Sequence, residues 1–375
     1  MNIEDASLTL FFTGSISLKT WSEVGNLDRE VELYRELLKH IKNVNFITYG
    51  GEDTQYSDKL DRIRVLPTKW HSRKELTVFR LLLKYHSEIR ESNIFKTNQI
   101  YGSEIPIWLK KKYNKPLITR CGYLPSQFLM EEKKDEETVT RAKRQEHEAF
   151  SNADIGVVTS SRDKEYVTME YGIETEKIRV IPNYVPTEVF KPLIAPEKKY
   201  DVIYVGRGDR QKNLLNLMKA IKYLREKGRK ISIVMIGKCR ENPEIKKIIK
   251  KEKLGAELLG NVPNYELPQY LNQSRLFILP SRYEGHPKVL LEAMSCGLPC
   301  IGTDVQGIKD DITHLENGYL CGTDFKSIAN AIDDVLEDKN LQKKMGKKAR
   351  NYILRNYSLD RILKKELEVI EEVLS

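Results

Sequence analysis

The chain has 375 residues, with 63 Lys and Arg against 54 Asp and Glu, a net charge of +9. Apolar residues make up 40% and charged residues 31%, which excludes a disordered chain and leaves enough apolar material for two cores. No apolar run approaches the roughly 18 residues of a spanning helix, and Met1-Asn2-Ile3-Glu4-Asp5 does not open like a secretory signal, so neither is expected.

In chain order, short β-rich runs alternate with helical stretches. The first strand candidates are Leu8–Phe12, Val44–Tyr49, Ile63–Leu66, Ile94–Thr97, Leu117–Thr119, Ile155–Thr159 and Arg179–Ile181. A second series is Val202–Val205, Ile231–Ile236, Leu276–Leu279, Cys300–Gly302 and Gly318–Leu320. Several are continuous apolar runs, as strands covered on both faces require. Between them, Leu27, Val31, Tyr34, Leu38 and Ile41 keep helical spacing, with Asn26 placed to cap. Near the end Leu359, Ile362, Leu363, Leu367, Ile370 and Leu374 form one stripe, with Ser358 as N-cap. Such alternation predicts a doubly wound parallel sheet, formed twice. The boundary is expected in Pro182–Pro196, which holds four prolines.

The five cysteines (Cys121, Cys239, Cys296, Cys300 and Cys321) contain no CxxC pair. They read as buried small residues of a reduced compartment. A loose metal set of Cys296, Cys300, His314 and Cys321 is the rival reading. The basic balance suits nucleotides, phosphates, anionic lipid or nucleic acid without choosing among them. Trp70 to Ile89 is basic and is read with Leu76, Phe79, Leu82, Leu83 and Ile89 on one face. Ile107-Trp108-Leu109-Lys110-Lys111-Lys112-Tyr113 mixes apolar groups with lysines. Both stretches are candidates for docking on anionic lipid, against the plainer reading of core-facing helices with solvated lysines.

Ligands of doubly wound folds bind at the C-terminal strand ends. After Asp201–Val205 comes Gly206-Arg207-Gly208-Asp209-Arg210-Gln211-Lys212. It opens like a dinucleotide fingerprint, but Gln211 stands where the third glycine belongs. Arg207 and Lys212 instead suit a diphosphate, or are plain surface cations. After Leu276–Leu279 comes Pro280-Ser281-Arg282-Tyr283-Glu284-Gly285-His286-Pro287, then a helix from Lys288. The amides of Lys288, Val289 and Leu290 are expected to point out of the helix end as an anion site. Glu284 and Glu292 beside an anion site make sense as acceptors from sugar hydroxyls; the plainer reading is a solvated loop and a surface face.

At this point the sequence resembles the retaining glycosyltransferases of family 4, which have the GT-B fold. Pro280-Ser281-x-x-Glu284-Gly285-x-Pro287 with Glu292 looks like their Glu-x7-Glu motif. Ala293-Met294-Ser295-Cys296-Gly297-Leu298-Pro299 resembles their "EAMACGLPV" run. Val205-Gly206-Arg207 with Lys212, Ile181-Pro182-Asn183 and Glu316-Asn317-Gly318-Tyr319-Leu320 resemble three further elements, so the likeness spans about residues 178–325. It implies two Rossmann-like domains, residues 1–185 for the acceptor and 186–357 for the nucleotide sugar, with a helix of about 358–375 packed back on the first.

The resemblance also implies roles. Glu284 would hold the transferred sugar and Glu292 the ribose. Amides from Gly285 through His286, Pro287, Lys288 and Val289 to Leu290 would hold sugar and diphosphate. Gly206, Arg207 and Lys212 would form the diphosphate loop, while Gly237, Val262 and Asn264 would line the base. In the first half, Gly14 would approach the donor, although no second glycine follows it. Arg120 stands where the family often has a histidine, and would contact sugar or an anionic acceptor, or be structural. His286 is offered to a hydroxyl or phosphate. The expected activity is hexosyl transfer from a nucleoside-diphosphate sugar to a glycan or lipid-linked acceptor with retention, with Glu284, Arg207 and Lys212 at the chemistry. No metal or other cofactor is expected. The expected place is cytoplasmic, with peripheral contact at the inner membrane face left open. The alternatives are a nucleotide-sugar isomerase or phosphorylase of the same fold, or a basic nucleic-acid binder; the last lacks interleaved aromatic and basic residues, so no nucleic acid is expected.

Overall fold

A computed structural model describes residues 1–71, 73–194 and 197–375. Pro196, the last proline of the expected boundary, lies outside the described residues. The chain divides into two compact units, Met1–Asn183 with Asp360–Ser375, and Tyr184–Leu359.

The first unit holds β1 (Ser7–Phe11), β2 (Asn43–Thr48), β3 (Arg64–Pro67), β4 (Ile94–Thr97), β5 (Leu117–Cys121), β6 (Ile155–Val158) and β7 (Ile178–Val180). They form one parallel sheet in the order β3-β2-β1-β4-β5-β6-β7. β1, β4 and β6 are buried along their whole length; β6 reads as an unbroken apolar run, while β1 and β4 bury Ser7, Thr9, Lys96 and Thr97 among their apolar residues.

The second unit holds β8 (Tyr200–Val205), β9 (Ile233–Ile236), β10 (Ala256–Leu259), β11 (Ser274–Leu279), β12 (Cys300–Thr303) and β13 (Tyr319–Cys321). Their order is β10-β9-β8-β11-β12-β13, again parallel. Helices alternate with the strands in both units. The strand order reverses between β1 and β4 in one sheet and between β8 and β11 in the other. Two diverging connections leave a crevice at such a switch point, where doubly wound folds bind ligands.

Every strand except β10 coincides with a run anticipated from the sequence. β10 reads Ala-Glu-Leu-Leu, residue types that favour helix, and it is an edge strand held by β9. Asn26 occupies the N-cap position of Leu27–Leu37, but its backbone is already helical and its side chain makes no capping bond. That helix stops at Leu37, so Ile41 is buried from the following turn.

The helix Lys74–Glu91 corrects a further expectation. Ile89 does not share a face with Leu76, Phe79 and Leu83. It is buried with Val78, Leu81 and Tyr85, while the other three are exposed and Leu82 is half-buried. The reason is the 3.6-residue period: positions 78, 81, 85 and 89 align on one side and 76, 79 and 83 on another. In Glu104–Tyr113, Ile107 and Leu109 are likewise core residues.

The terminal helix Leu359–Leu374 buries Ile362, Leu363, Val369 and Ile370, and with them Glu366. A carboxylate in that stripe needs a partner, and Lys96 on β4 supplies one at 2.5 Å. Both side chains are essentially inaccessible, and the Lys96 ammonium also lies over the Tyr34 ring. Burial pulls the Lys96 pKa below its ordinary value, opposed by the charge of Glu366. Removing one member strands the other charge, so Lys96→Met or Glu366→Gln should each cost about 3–5 kcal/mol. The double variant Lys96→Met/Glu366→Leu should recover most of that loss in chemical denaturation. Losses that simply add in the double variant would show that the two groups do not act as a pair.

Candidate functional site

The second unit brings together the residues that follow β8 and β11 at its switch point. β8 runs into Gly206, and a single 3-10 turn at Arg210–Lys212 precedes the helix Leu214–Glu226. β11 runs into Pro280 and then the loop 281–287, which ends at the helix Lys288–Ser295.

Lys212 and Glu284 join the two loops. The Lys212 Nζ donates to Glu284 Oε1 at 2.5 Å, and both side chains are buried. Ser281 Oγ donates to the same oxygen at 2.6 Å, and Gln211 Nε2 donates to Oε2 at 3.2 Å. The carboxylate is therefore held by one cation and two neutral donors. Gln211 also donates to the Tyr283 carbonyl at 2.9 Å and accepts from Arg207 Nη2 at 3.1 Å, while its own carbonyl accepts from the Arg282 amide. Its identity rules against a dinucleotide fingerprint, yet it clamps the two loops together. Sequence reasoning assigned it no role; its position between two candidate cations is the only signal it offers.

Arg207 behaves differently from Lys212. Its side chain is 63% exposed and leans on Asp209 at 3.1 Å. Its carbonyl accepts from the buried Tyr204 hydroxyl at 2.6 Å, and burial holds that phenol far above its ordinary pKa. The backbone of this loop is thereby fixed while the guanidinium stays available. Gly237, after β9, has φ +107, and a Cβ there would lie 2.7 Å from the Gly206 carbonyl oxygen. Only glycine lets the β8 and β9 ends pack this closely.

A second cluster lies around Glu292. It is buried in the second turn of Lys288–Ser295 and accepts from Asn264 Nδ2 at 3.0 Å. Glu292 is therefore not on a surface face. Val262, just before Pro263 and Asn264 in sequence, is half-buried and packs on the core of this unit. At the head of the helix, Pro287 takes the N-cap position, and the Leu290 amide donates to its carbonyl at 3.0 Å. One of the three amides expected to face an anion is thus engaged within the helix.

The loop 281–287 has a further support absent from the motif. Gly307 (φ +83) has no room for a Cβ beneath the carbonyls of Glu284 and Gly285, and the Glu284 amide donates to the Gln306 carbonyl at 3.3 Å. His286 is buried rather than offered to solvent. Its Nε2 lies 3.5 Å from Asp311 Oδ2, and its ring meets Tyr357 edge-on. Tyr357 and Tyr352 donate to the other Asp311 oxygen at 2.7 and 3.3 Å.

Gly14 and Arg120 belong to the first unit. Gly14 follows β1, and a Cβ there would lie 2.6 Å from the Tyr101 ring and 2.9 Å from Trp70, so packing within this unit already demands glycine. Arg120, on β5, donates to Asn183 Oδ1 at 3.0 Å. All five cysteines are buried and unpaired, and burial raises each thiol. Among the described residues, no three His, Cys, Asp or Glu side chains converge as a metal site requires, so Cys296, Cys300, His314 and Cys321 do not form one.

Residues 186–352, within the second unit, match the family model described as glycosyl transferases group 1. Over 219 residues the chain is 32% identical to the UDP-Gal:alpha-D-GlcNAc-diphosphoundecaprenol alpha-1,3-galactosyltransferase of Escherichia coli, covering 53% of this chain and 55% of that protein. The chain spans about half the length of such curated relatives. Similarity of structure extends further. The sucrose-phosphate synthase of Thermosynechococcus elongatus superposes with a TM-score of 0.80 at 18% identity, covering 98% of this chain and 99% of that one. Anabaena Alr3699/HepE, solved with UDP and glucose, gives 0.76 at 17% identity over 97% and 99% of the two chains. The fold of the whole chain is therefore GT-B, and its second unit carries the match to glycosyl transferases group 1.

Proposed function

We propose that the chain transfers a hexosyl unit from a nucleoside-diphosphate sugar to an acceptor hydroxyl, with retention at the anomeric carbon. The observation that carries this reading is the buried Lys212–Glu284 pair, which fixes two loops at the β8/β11 switch point beside the exposed Arg207. The UDP held by the Anabaena protein and the UDP-Gal in the name of the Escherichia coli relative support a uridine nucleotide as donor. The names of relatives from capsule and amylovoran synthesis support a glycan or lipid-linked acceptor. In this reading the second unit holds the donor and the first unit the acceptor, with Gly14 assigned to the donor and Arg120 to the acceptor or sugar side.

The chemistry follows from charge. As the bond from the anomeric carbon to the phosphate oxygen breaks, negative charge grows on the diphosphate. Arg207, Lys212 and the helix end at Pro287 oppose it with groups already in place, which costs no reorganisation during the reaction. The acceptor oxygen bonds to the anomeric carbon, and its proton passes to the leaving phosphate oxygen. No side-chain base and no metal enters this scheme. Glu284 accepts from hydroxyls of the transferred sugar and Glu292 from the ribose, with Gly237, Val262 and Asn264 around the base.

The pair gives a directional test. Glu284→Gln removes the negative charge that holds Lys212, so UDP binding should persist or tighten in calorimetry. Turnover should still fall about 10- to 150-fold, the loss of one charge-assisted contact of about 1.5–3 kcal/mol. Glu292→Gln should instead weaken every uridine ribonucleotide, including UDP without sugar. If Glu284→Gln abolishes UDP binding while Glu292→Gln leaves it unchanged, the two roles are reversed.

The cations give a second test. Arg207→Ala and Lys212→Ala should each weaken UDP by about 1.5–3 kcal/mol while uridine binds as before. Lys212→Ala should be the more severe, because it leaves Glu284 uncompensated beside the diphosphate. Unchanged UDP affinity in both variants would place the phosphates elsewhere. Incubation of UDP-glucose with and without an acceptor, followed by product analysis, separates transfer from isomerisation or phosphorolysis.

A further inference from the structure

The helix Lys74–Glu91 of the first unit carries an apolar stripe that is largely exposed. Leu76, Phe79 and Leu83 are exposed by 47, 60 and 72% and stand at i, i+3 and i+7 on one side of the helix. Scattered exposed apolar side chains are ordinary, but an aligned ridge of three is not. The helix is kinked just beyond the ridge at Tyr85 (φ −135°, ψ 30°), whose hydroxyl donates to the Pro67 carbonyl at 3.0 Å. The turns bearing the ridge are thus tied down at their far end.

The surroundings of the ridge are cationic. Arg73, Lys74, Arg80 and Lys84 are exposed along these turns against the single carboxylate Glu75. None of the four makes an ion pair among the described residues. The helix Glu104–Tyr113 packs alongside, and there Trp108 is exposed with the Lys112 ammonium 5.3 Å from its ring. Lys111 and Lys112 extend the positive field.

We propose that this ridge docks the chain onto an anionic lipid bilayer, with Leu76, Phe79 and Leu83 entering the headgroup zone and the flanking cations meeting lipid phosphates. Two features select this occupant. The ridge is three side chains on a single helix, whereas a stable protein interface needs about 800 Å² from each partner. Apolar side chains flanked by cations are what interfacial helices present to anionic lipid. In addition, Arg73 and Lys74 at the head of this helix line a pocket of about 420 Å³ with Tyr101, Glu104, Gln145 and Glu148. Docking through the ridge brings that pocket to the lipid surface. If the transfer reading holds, a membrane-borne acceptor reaches it without leaving the headgroups.

The test is co-sedimentation of the full chain with vesicles of phosphatidylcholine alone and of phosphatidylcholine with phosphatidylglycerol. Binding is expected only to the anionic vesicles, weakening as salt is raised. Leu76→Ser/Phe79→Ser/Leu83→Ser and, separately, Arg80→Glu/Lys84→Glu should each lower it about tenfold or more. These side chains are exposed, so circular dichroism and melting should be unchanged; Phe79→Ser alone serves if the triple variant misfolds. Equal binding by wild type and variants, or no binding to anionic vesicles, overturns the proposal. So does a ridge variant that loses self-association in ultracentrifugation while its vesicle binding stays intact, because the ridge is then a protein interface.

Discussion

A buried ammonium beside a buried carboxylate organises the second unit. Lys212 and Glu284 come from loops more than seventy residues apart in sequence, and neither tolerates burial alone. Together they hold the exits of β8 and β11 in one arrangement. Ser281 and Gln211 take two more of the carboxylate's roughly four acceptor sites and leave one, on Oε2, so the pair is charge-balanced and hydrogen-bonded before any ligand arrives and still able to accept from a hydroxyl. A diphosphate entering this crevice meets a cation whose position is already set. It also meets Arg207, whose exposed guanidinium is held by Asp209 and Gln211. One cation is buried and the other stands at the surface, each already placed by hydrogen-bonded partners.

The first unit uses the same device for a different end. Lys96 and Glu366, 270 residues apart in sequence, form a buried pair between β4 and the terminal helix. A helix held only by Ile362, Leu363, Val369 and Ile370 can slide by a turn and still bury apolar surface. A buried charge that must meet its counter-charge fixes the register. The cost of such a pair is accepted where position matters, at the crossing of the terminal helix and at the candidate donor site.

Much of the fold is legible because parallel strands covered on both faces leave unbroken apolar runs. β10 is not, since Ala256, Glu257, Leu258 and Leu259 carry no β-branched residue and owe their conformation to pairing with β9. The two faces of Lys74–Glu91 are hard to separate in the sequence because apolar residues occur on both sides of that helix. At the site, Glu284, Glu292, Lys212 and Arg207 stand out individually through their spacing from strand ends. Their pairing does not, because contact between 212 and 284 is a product of strand order. Gln211 and Gly307 are invisible for the same reason: their partners lie on loops brought together only when β8, β11 and β12 assemble. His286 and Leu290 show the opposite limit, where a motif position turns out to be occupied by packing or by a bond within the helix.

The central claim is that the crevice between the β8 and β11 exits receives a nucleoside diphosphate. Amide hydrogen exchange of the full chain, with and without saturating UDP, tests it most directly. The account predicts slowed exchange in residues 206–213 and 281–292, with a smaller effect at 237–239 and 262–264. Slowed exchange confined to the first unit, with the 206–213 and 281–292 segments unchanged at saturation, would contradict it.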